Sequence, residues 1–133
     1  MATNLEYPVE HPLDPLAPDE IDTAREVLAA EQSLSDGARF IEIVLNEPDK
    51  EDVRAYENDG AAVEREASIV IRDKDEKTTY EGVVSLDDEE VVRWEELPDA
   101  QPRMVGEEFV EVEELVTQNE EFREAVRKRG ADP

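Results

Sequence analysis

The chain has 133 residues, enough for one domain of ordinary size or a small domain with part of a second. Its 38 Asp and Glu against 14 Lys and Arg give a formal net charge of -24, which excludes a nucleic-acid-binding surface and disfavours an anionic membrane. The absence of cysteine excludes disulfides, thiolate metal sites and cysteine nucleophiles.

The first stretch, MATNLEYPVEH, has neither a basic nor an apolar targeting region, and no run approaches the ~20 apolar residues of a membrane span. EHPLDPLAPDEI follows, at residues 10–21. Its prolines push His11, Asp14 and Ala17 toward extended backbone, so a stiff, PPII-like lead is expected. Pro18 suits the first position of a helix, where a missing N–H costs nothing, and Asp19 and Glu20 place negative charge at its positive end. From Asp19 to Gln32, Ile21, Ala24, Val27 and Leu28 recur at helical spacing, opposite Asp22, Arg25, Glu26 and Glu31.

After a break at 33–37, ARFIEIVLNEP reads as a strand ended by Pro48. The polar segment 49–61, with NDG at 58–60, reads as a loop or long hairpin connection. Two strands follow, one with Ala67, Ile69 and Ile71 on a face, the other with Tyr80, Gly82, Val84 and Leu86. RDKDEK joins them as a charged turn, and LDDEE leads to a fourth strand, 91–97, in which Val92 and Trp94 alternate with Arg93 and Glu95. Sequential hairpins make an antiparallel meander, and helix plus meander make an α+β unit in which the helix covers the sheet.

PDAQPRMVGEE then reads as a linker. Beyond it Phe109, Val112, Leu115 and Val116 fall at helical spacing, and a second short helix is capped by Asn119, carries Phe122 and Val126, and stops at Gly130. The expected fold is a helix on a four-stranded meander followed by a C-terminal helical pair. No strands follow to cover those last apolar stripes, which suits either a helical hairpin or the start of a second domain.

Little in the chain carries chemistry. His11 is the single histidine, so no histidine pair, triad or zinc site can be assembled, and a turn or solvent-facing role is expected for it. Carboxylate clusters at Asp87–Glu90, Glu111–Glu114 and Glu120–Glu121 arise by chance at this acidity and read as solvated faces. The five glycines are isolated, so no phosphate-cradling loop exists. Trp94 and Tyr80 read as core before pocket. No catalytic, cofactor-binding or metal-binding residue is assigned.

The order of HPLDPL (11–16), RFIEIVLNEPDK (39–50), REASIVIRD (65–73), QPRMVGEE (101–108) and EEFREAVRKRGADP (120–133) resembles the N-terminal portion of the copper-containing primary amine oxidases. The resemblance implies an N2-like domain at 1–98, cystatin-like in fold, and at 99–133 a linker and the beginning of an N3-like helical segment. It also implies that the chemistry lies elsewhere. In the family a large C-terminal β-domain converts a tyrosine to topaquinone beside a copper held by three histidines. Tyr7, Tyr56 and Tyr80 do not sit in the family's Asn-Tyr-Asp/Glu context, and one histidine cannot replace three.

The expected role is therefore that of a non-catalytic structural region. The parent reaction would be oxidative deamination of a primary amine to aldehyde, ammonia and hydrogen peroxide, with copper and topaquinone only in an intact parent. The expected partner is the C-terminal catalytic domain, with a homodimer in that setting, and nucleic acid and membrane are excluded as partners. The alternative is a free-standing acidic protein-binding module of cystatin-like fold. The charge density points to a salt-adapted cytoplasm, where a Debye length of about 3 Å at 1 M salt would erase the repulsion. The preference for Arg over the four lysines (Lys50, Lys74, Lys77 and Lys128) supports that setting.

Overall fold

The computed structural model describes residues 8–133; Tyr7 and the stretch before it lie outside the described residues. The elements run α1 (Pro18–Glu31), β1 (Ala38–Leu45), α2 (Lys50–Asp59), β2 (Glu66–Asp73), β3 (Thr78–Ser85), β4 (Glu90–Leu97), α3 (Gly106–Gln118) and α4 (Glu120–Lys128). The four strands form one antiparallel sheet in the order β1-β2-β3-β4, the expected α+β meander. Among the described residues no helix is long and apolar enough to cross a membrane. The chain divides into two compact units, the first ending at Pro102 and the second running from Arg103 to Pro133. The first extends past β4 because the Ala100 carbonyl accepts from Thr79 Oγ1 at 2.7 Å and tethers the segment to β3.

The core of the first unit forms between α1 and one sheet face. Ala24 and Leu28 of α1 are fully buried against Ala67, Ile69 and Ile71 of β2 and Val84 of β3, with Phe40, Ile43, Tyr80, Val91 and Trp94 packed around them. The i, i+4 spacing of Ala24 and Leu28 and the period-two spacing of Ala67, Ile69 and Ile71 produce this directly. Gly82 pairs with Trp94 across β3 and β4. A Cβ there would stand 3.1 Å from Trp94 Cε3 and 3.3 Å from Leu28 Cδ1, so the missing side chain lets the indole and the leucine close over the strand. The indole also stacks on Tyr80, with centroids 4.9 Å apart.

The structure corrects three expectations. Residues 50–59 form a helix, α2, in place of a loop. Only Val53 and Tyr56, with Ala55 beside them, turn inward, too short a stripe to register as periodicity, and Gly60 of the NDG stretch is the left-handed helix stop at φ 67°. In β4 a bulge at Val92 breaks the alternation, so Val91 joins Trp94 on the core side and Val92 is exposed. The lead, finally, is not extended throughout. A turn at Pro12-Leu13 is closed by the Asp14 N–H donating to the His11 carbonyl at 3.0 Å, which suits proline at the second turn position.

Pro18 stands at the first helical position, as its chemistry demands, and Ala17 is the N-cap, with φ −73° and ψ 158°. The Ala17 N–H donates to Glu20 Oε1 at 3.0 Å, one half of a capping box, while alanine offers no oxygen for the other half. Ala17→Ser supplies it. The expected gain is about 1 kcal/mol, read as a melting temperature higher by about 4–8 °C. In the second unit Asn119 ends α3 and caps α4, its Oδ1 accepting from the Phe122 N–H at 2.9 Å.

Candidate functional site

The most developed polar site in the first unit is a clamp around Arg65, just before β2. Its Nε donates to Glu20 Oε2 at 2.8 Å and its Nη2 to Glu20 Oε1 at 3.0 Å, a bidentate pair whose side chains are 13% and 17% exposed. The same guanidinium donates to three carbonyls of the lead, Pro12 (3.3 Å), Asp14 (3.1 Å) and Pro15 (3.3 Å). One planar fork thus fastens the lead to α1 and to the start of β2. Prolines explain the need: a segment that cannot make ladder hydrogen bonds presents bare carbonyls, and a nearby donor must satisfy them. Burial pushes the Glu20 carboxyl up, but the Arg65 guanidinium and the Ala17 N–H outweigh it and leave Glu20 below the usual carboxylate range.

A second fastening ties the lead to α2. His11 Nε2 lies 3.2 Å from Glu57 Oε1, its Nδ1 accepts from the Leu13 N–H at 3.1 Å, and its ring meets Tyr56 edge-on at 5.3 Å. The Tyr56 hydroxyl donates to the Glu10 carbonyl at 2.8 Å. Asp14 closes the turn from within, accepting from the Glu10 and His11 N–H groups, and those two bonds lower its carboxyl below the ordinary range. His11 is thus a turn and docking residue, in line with its sequence context.

The β2–β3 turn carries a third polar cluster. Buried Asp73 accepts from the Glu76 and Asp75 N–H groups at 3.0 and 2.9 Å and from the Ser35 hydroxyl at 2.8 Å. The Glu76 N–H bond, then the Ser35 hydroxyl and the Asp75 N–H, hold its carboxyl below its ordinary value against the opposing effect of burial. A depressed folded pKa contributes stability above the unfolded value that is lost as the pH falls through the folded one. Asp73→Asn is therefore expected to lower the melting temperature at neutral pH, with the deficit closing as the wild type is acidified below the carboxylate range. Paired thermal melts against pH check this.

An open cleft of about 460 Å³ lies beside the N-terminus of α2, among Asn46, Glu47, Asp49, Asp52, Glu64 and Glu66. Its walls repel anions, and among the described residues no three His, Cys, Asp or Glu side chains converge to hold a metal ion. Of the acidic runs, Asp87 Oδ2 accepts from the Arg65 N–H at 3.2 Å and ties the β3–β4 turn to the start of β2, while the Asp88 N–H donates to Ser85 Oγ at 3.1 Å within the turn itself. Tyr80 and Trp94 are core side chains, and burial raises the Tyr80 hydroxyl above its ordinary value, with Glu96, Asp73 and Glu76 adding to it. The groups are arranged for fastening. Among the described residues no nucleophile, general base and oxyanion donors meet at one point.

Sequence reasoning did not single out Arg65. Its signal was present: a lone cation between Glu64 and Glu66 at the entrance to an apolar strand, in a chain whose proline-rich lead leaves carbonyls wanting a donor.

Residues 11–97 match the family model for the copper amine oxidase N2 domain. The primary amine oxidase of Arthrobacter sp. (strain P1) is 38% identical over 123 residues, 92% of this chain and 18% of that protein. The primary amine oxidase of Klebsiella aerogenes is 33% identical over 126 residues, 92% of this chain and 16% of its own length. Among solved structures, a copper-containing benzylamine oxidase from Hansenula polymorpha shares the fold with a TM-score of 0.79 at 20% identity, over 93% of this chain and 20% of that one. The chain thus spans about a fifth of the length of the relatives it matches.

Proposed function

The chain belongs to the copper amine oxidase family through its N2 domain, and from that premise we propose that it serves as the non-catalytic, N-terminal structural region of a copper and topaquinone primary amine oxidase. The observation that carries this reading is the family match over 11–97, on a unit whose Arg65 clamp fastens its own lead. The parent reaction is oxidative deamination of a primary amine to aldehyde, ammonia and hydrogen peroxide. The partner is the C-terminal catalytic domain.

The residues present do not fit the copper centre. Three imidazoles are needed, and the chain has one histidine, engaged with Glu57 and the Leu13 N–H. The second unit, α3 and α4, is the beginning of an N3 domain in this reading, since the matches to whole oxidases cover 92% of the chain and so reach beyond residue 97. A net charge of -24 further supports a high-salt cytoplasm as the setting.

The purified chain, supplied with copper, oxygen and benzylamine or tyramine, is expected to release no hydrogen peroxide and to lose its copper on dialysis. Turnover of either amine, or tightly held stoichiometric copper, overturns the proposal. Thermal melts check the setting: stability should climb as salt rises toward about 1 M, where the Debye length falls to about 3 Å. A flat salt response speaks against it.

A further inference from the structure

Asp is followed by Gly at two places in the chain, Asp36-Gly37 and Asp59-Gly60. Such a step can rearrange with no enzyme. The glycine nitrogen attacks the aspartyl Cγ, the new C–N bond closes a five-membered imide, and the carboxyl hydroxyl leaves as water with the nitrogen's proton. Water then reopens the ring at the main-chain carbonyl, so that the backbone runs through Cβ and Cγ as an isoaspartyl linkage. Glycine favours the attack because no Cβ stands beside its nitrogen. Sequence gives the two steps equal standing, and the fold separates them.

At Asp36-Gly37 the attacking nitrogen is engaged twice. The Gly37 N–H donates to Asp75 Oδ2 at 3.0 Å and to Ser35 Oγ at 3.2 Å, and the Gly37 carbonyl accepts from the Lys74 N–H at 3.0 Å. Asp75 also fills the space around the glycine, where a Cβ would lie 2.6 Å from its Cγ. A carboxylate against the N–H opposes loss of its proton. Opening this step means parting residues 35–37 from the β2–β3 turn, where the Ser35 hydroxyl also donates to buried Asp73 at 2.8 Å.

At Asp59-Gly60 the restraint is a helix end. Asp59 is the last residue of α2 and is exposed, and the left-handed Gly60, at φ 67°, has nothing within 4 Å of where a Cβ would stand. Its N–H donates to the Tyr56 carbonyl at 2.9 Å, within the same helix. Helix α2 has 10 residues, none of them buried, so its last turn opens without disturbing the core. Helical ψ at Asp59 turns the Gly60 nitrogen away from the Asp59 Cγ, so the attack runs from that opened turn.

We propose that Asp59 is a site of isoaspartyl formation that the fold leaves open, while it shields the chemically identical step at Asp36. The product lengthens the main chain by one methylene at the α2 stop. Gly60 is then displaced from the position in which its N–H closes on Tyr56. The loosened helix end carries Tyr56 and Glu57, which hold the lead at Glu10 and His11.

Ageing the purified full chain for weeks at neutral pH tests this, with isoaspartate located by peptide mapping and by methyl transfer from a protein isoaspartyl methyltransferase. Isoaspartate is expected to form at 59 about tenfold or more faster than at 36, and the ratio should fall toward one in urea, where both steps are unfolded. Asp59→Glu, whose longer side chain closes a six-membered imide far more slowly, should remove the signal and leave the melting temperature unchanged. The aged fraction should exchange its Gly60 and Ala61 amide hydrogens faster than fresh chain. Equal rates at the two steps in the folded chain overturn the proposal, as does a folded chain with no isoaspartate at 59. A ratio in urea as large as in buffer overturns it too, because the preference would then belong to the sequence and not to the fold.

Discussion

Arg65→Met is expected to destabilise the first unit by about 3 kcal/mol, because it removes one partner of a largely buried ion pair and leaves the other uncompensated. The methionine keeps most of the aliphatic stem, so the loss falls on the guanidinium. Glu20 would lose both bonds at 2.8 and 3.0 Å, and the carbonyls of Pro12, Asp14 and Pro15 would lose their shared donor. Arg65→Lys should recover only part of this, since an ammonium replaces the charge but not the planar fork. The pH dependence adds a second signature. Glu20 is held below its ordinary range by Arg65, so its contribution is present above the unfolded carboxylate pKa and vanishes as the pH falls through the folded one. The Arg65→Met deficit should therefore shrink in acid. Urea melts of the three proteins at neutral and acid pH measure both effects, and a neutral-pH cost below about 1 kcal/mol would show the clamp to be an exposed pair of ordinary worth.

Leu28→Ala is expected to cost about 3–4 kcal/mol, the larger part from the space left behind. Leu28 is fully buried at the meeting of α1 with β2 and β3. Its Cδ1 rests over Gly82, whose missing Cβ leaves no side chain able to move into the gap. The Trp94 indole beside Gly82 is held by its stacking on Tyr80. Leu28→Met keeps the volume and should cost less than about 1.5 kcal/mol. Equal losses in the two variants would mean that the site relaxes freely.

The parts of the fold that were readable in the sequence are those written in a repeating period. Ala24 and Leu28 on α1, and Ala67, Ile69 and Ile71 on β2, each declare their buried face by spacing, and Pro18, Asn119 and Gly130 mark helix ends by their own backbone chemistry. What escaped was set by single residues. Val92 inserts one position into β4 and reverses the apparent alternation, and α2 has too few apolar residues for its period to show. The Arg65 clamp joins residues about 50 positions apart, a distance at which charge pattern carries no address in so acidic a chain. Tyr80 and Trp94 were legible as core because two large rings on one face of neighbouring strands have few other places to go.

The two irregularities in the sheet sit at Ile41 in β1 and Val92 in β4, and those are its two outermost strands. A kinked border makes a poor template for a stranger's backbone, so neither rim invites the strand-on-strand stacking that seeds fibrils. Straightening one rim by deleting Val92 would remove that safeguard, and such a chain would be prone to aggregate through a surface the native protein keeps solitary.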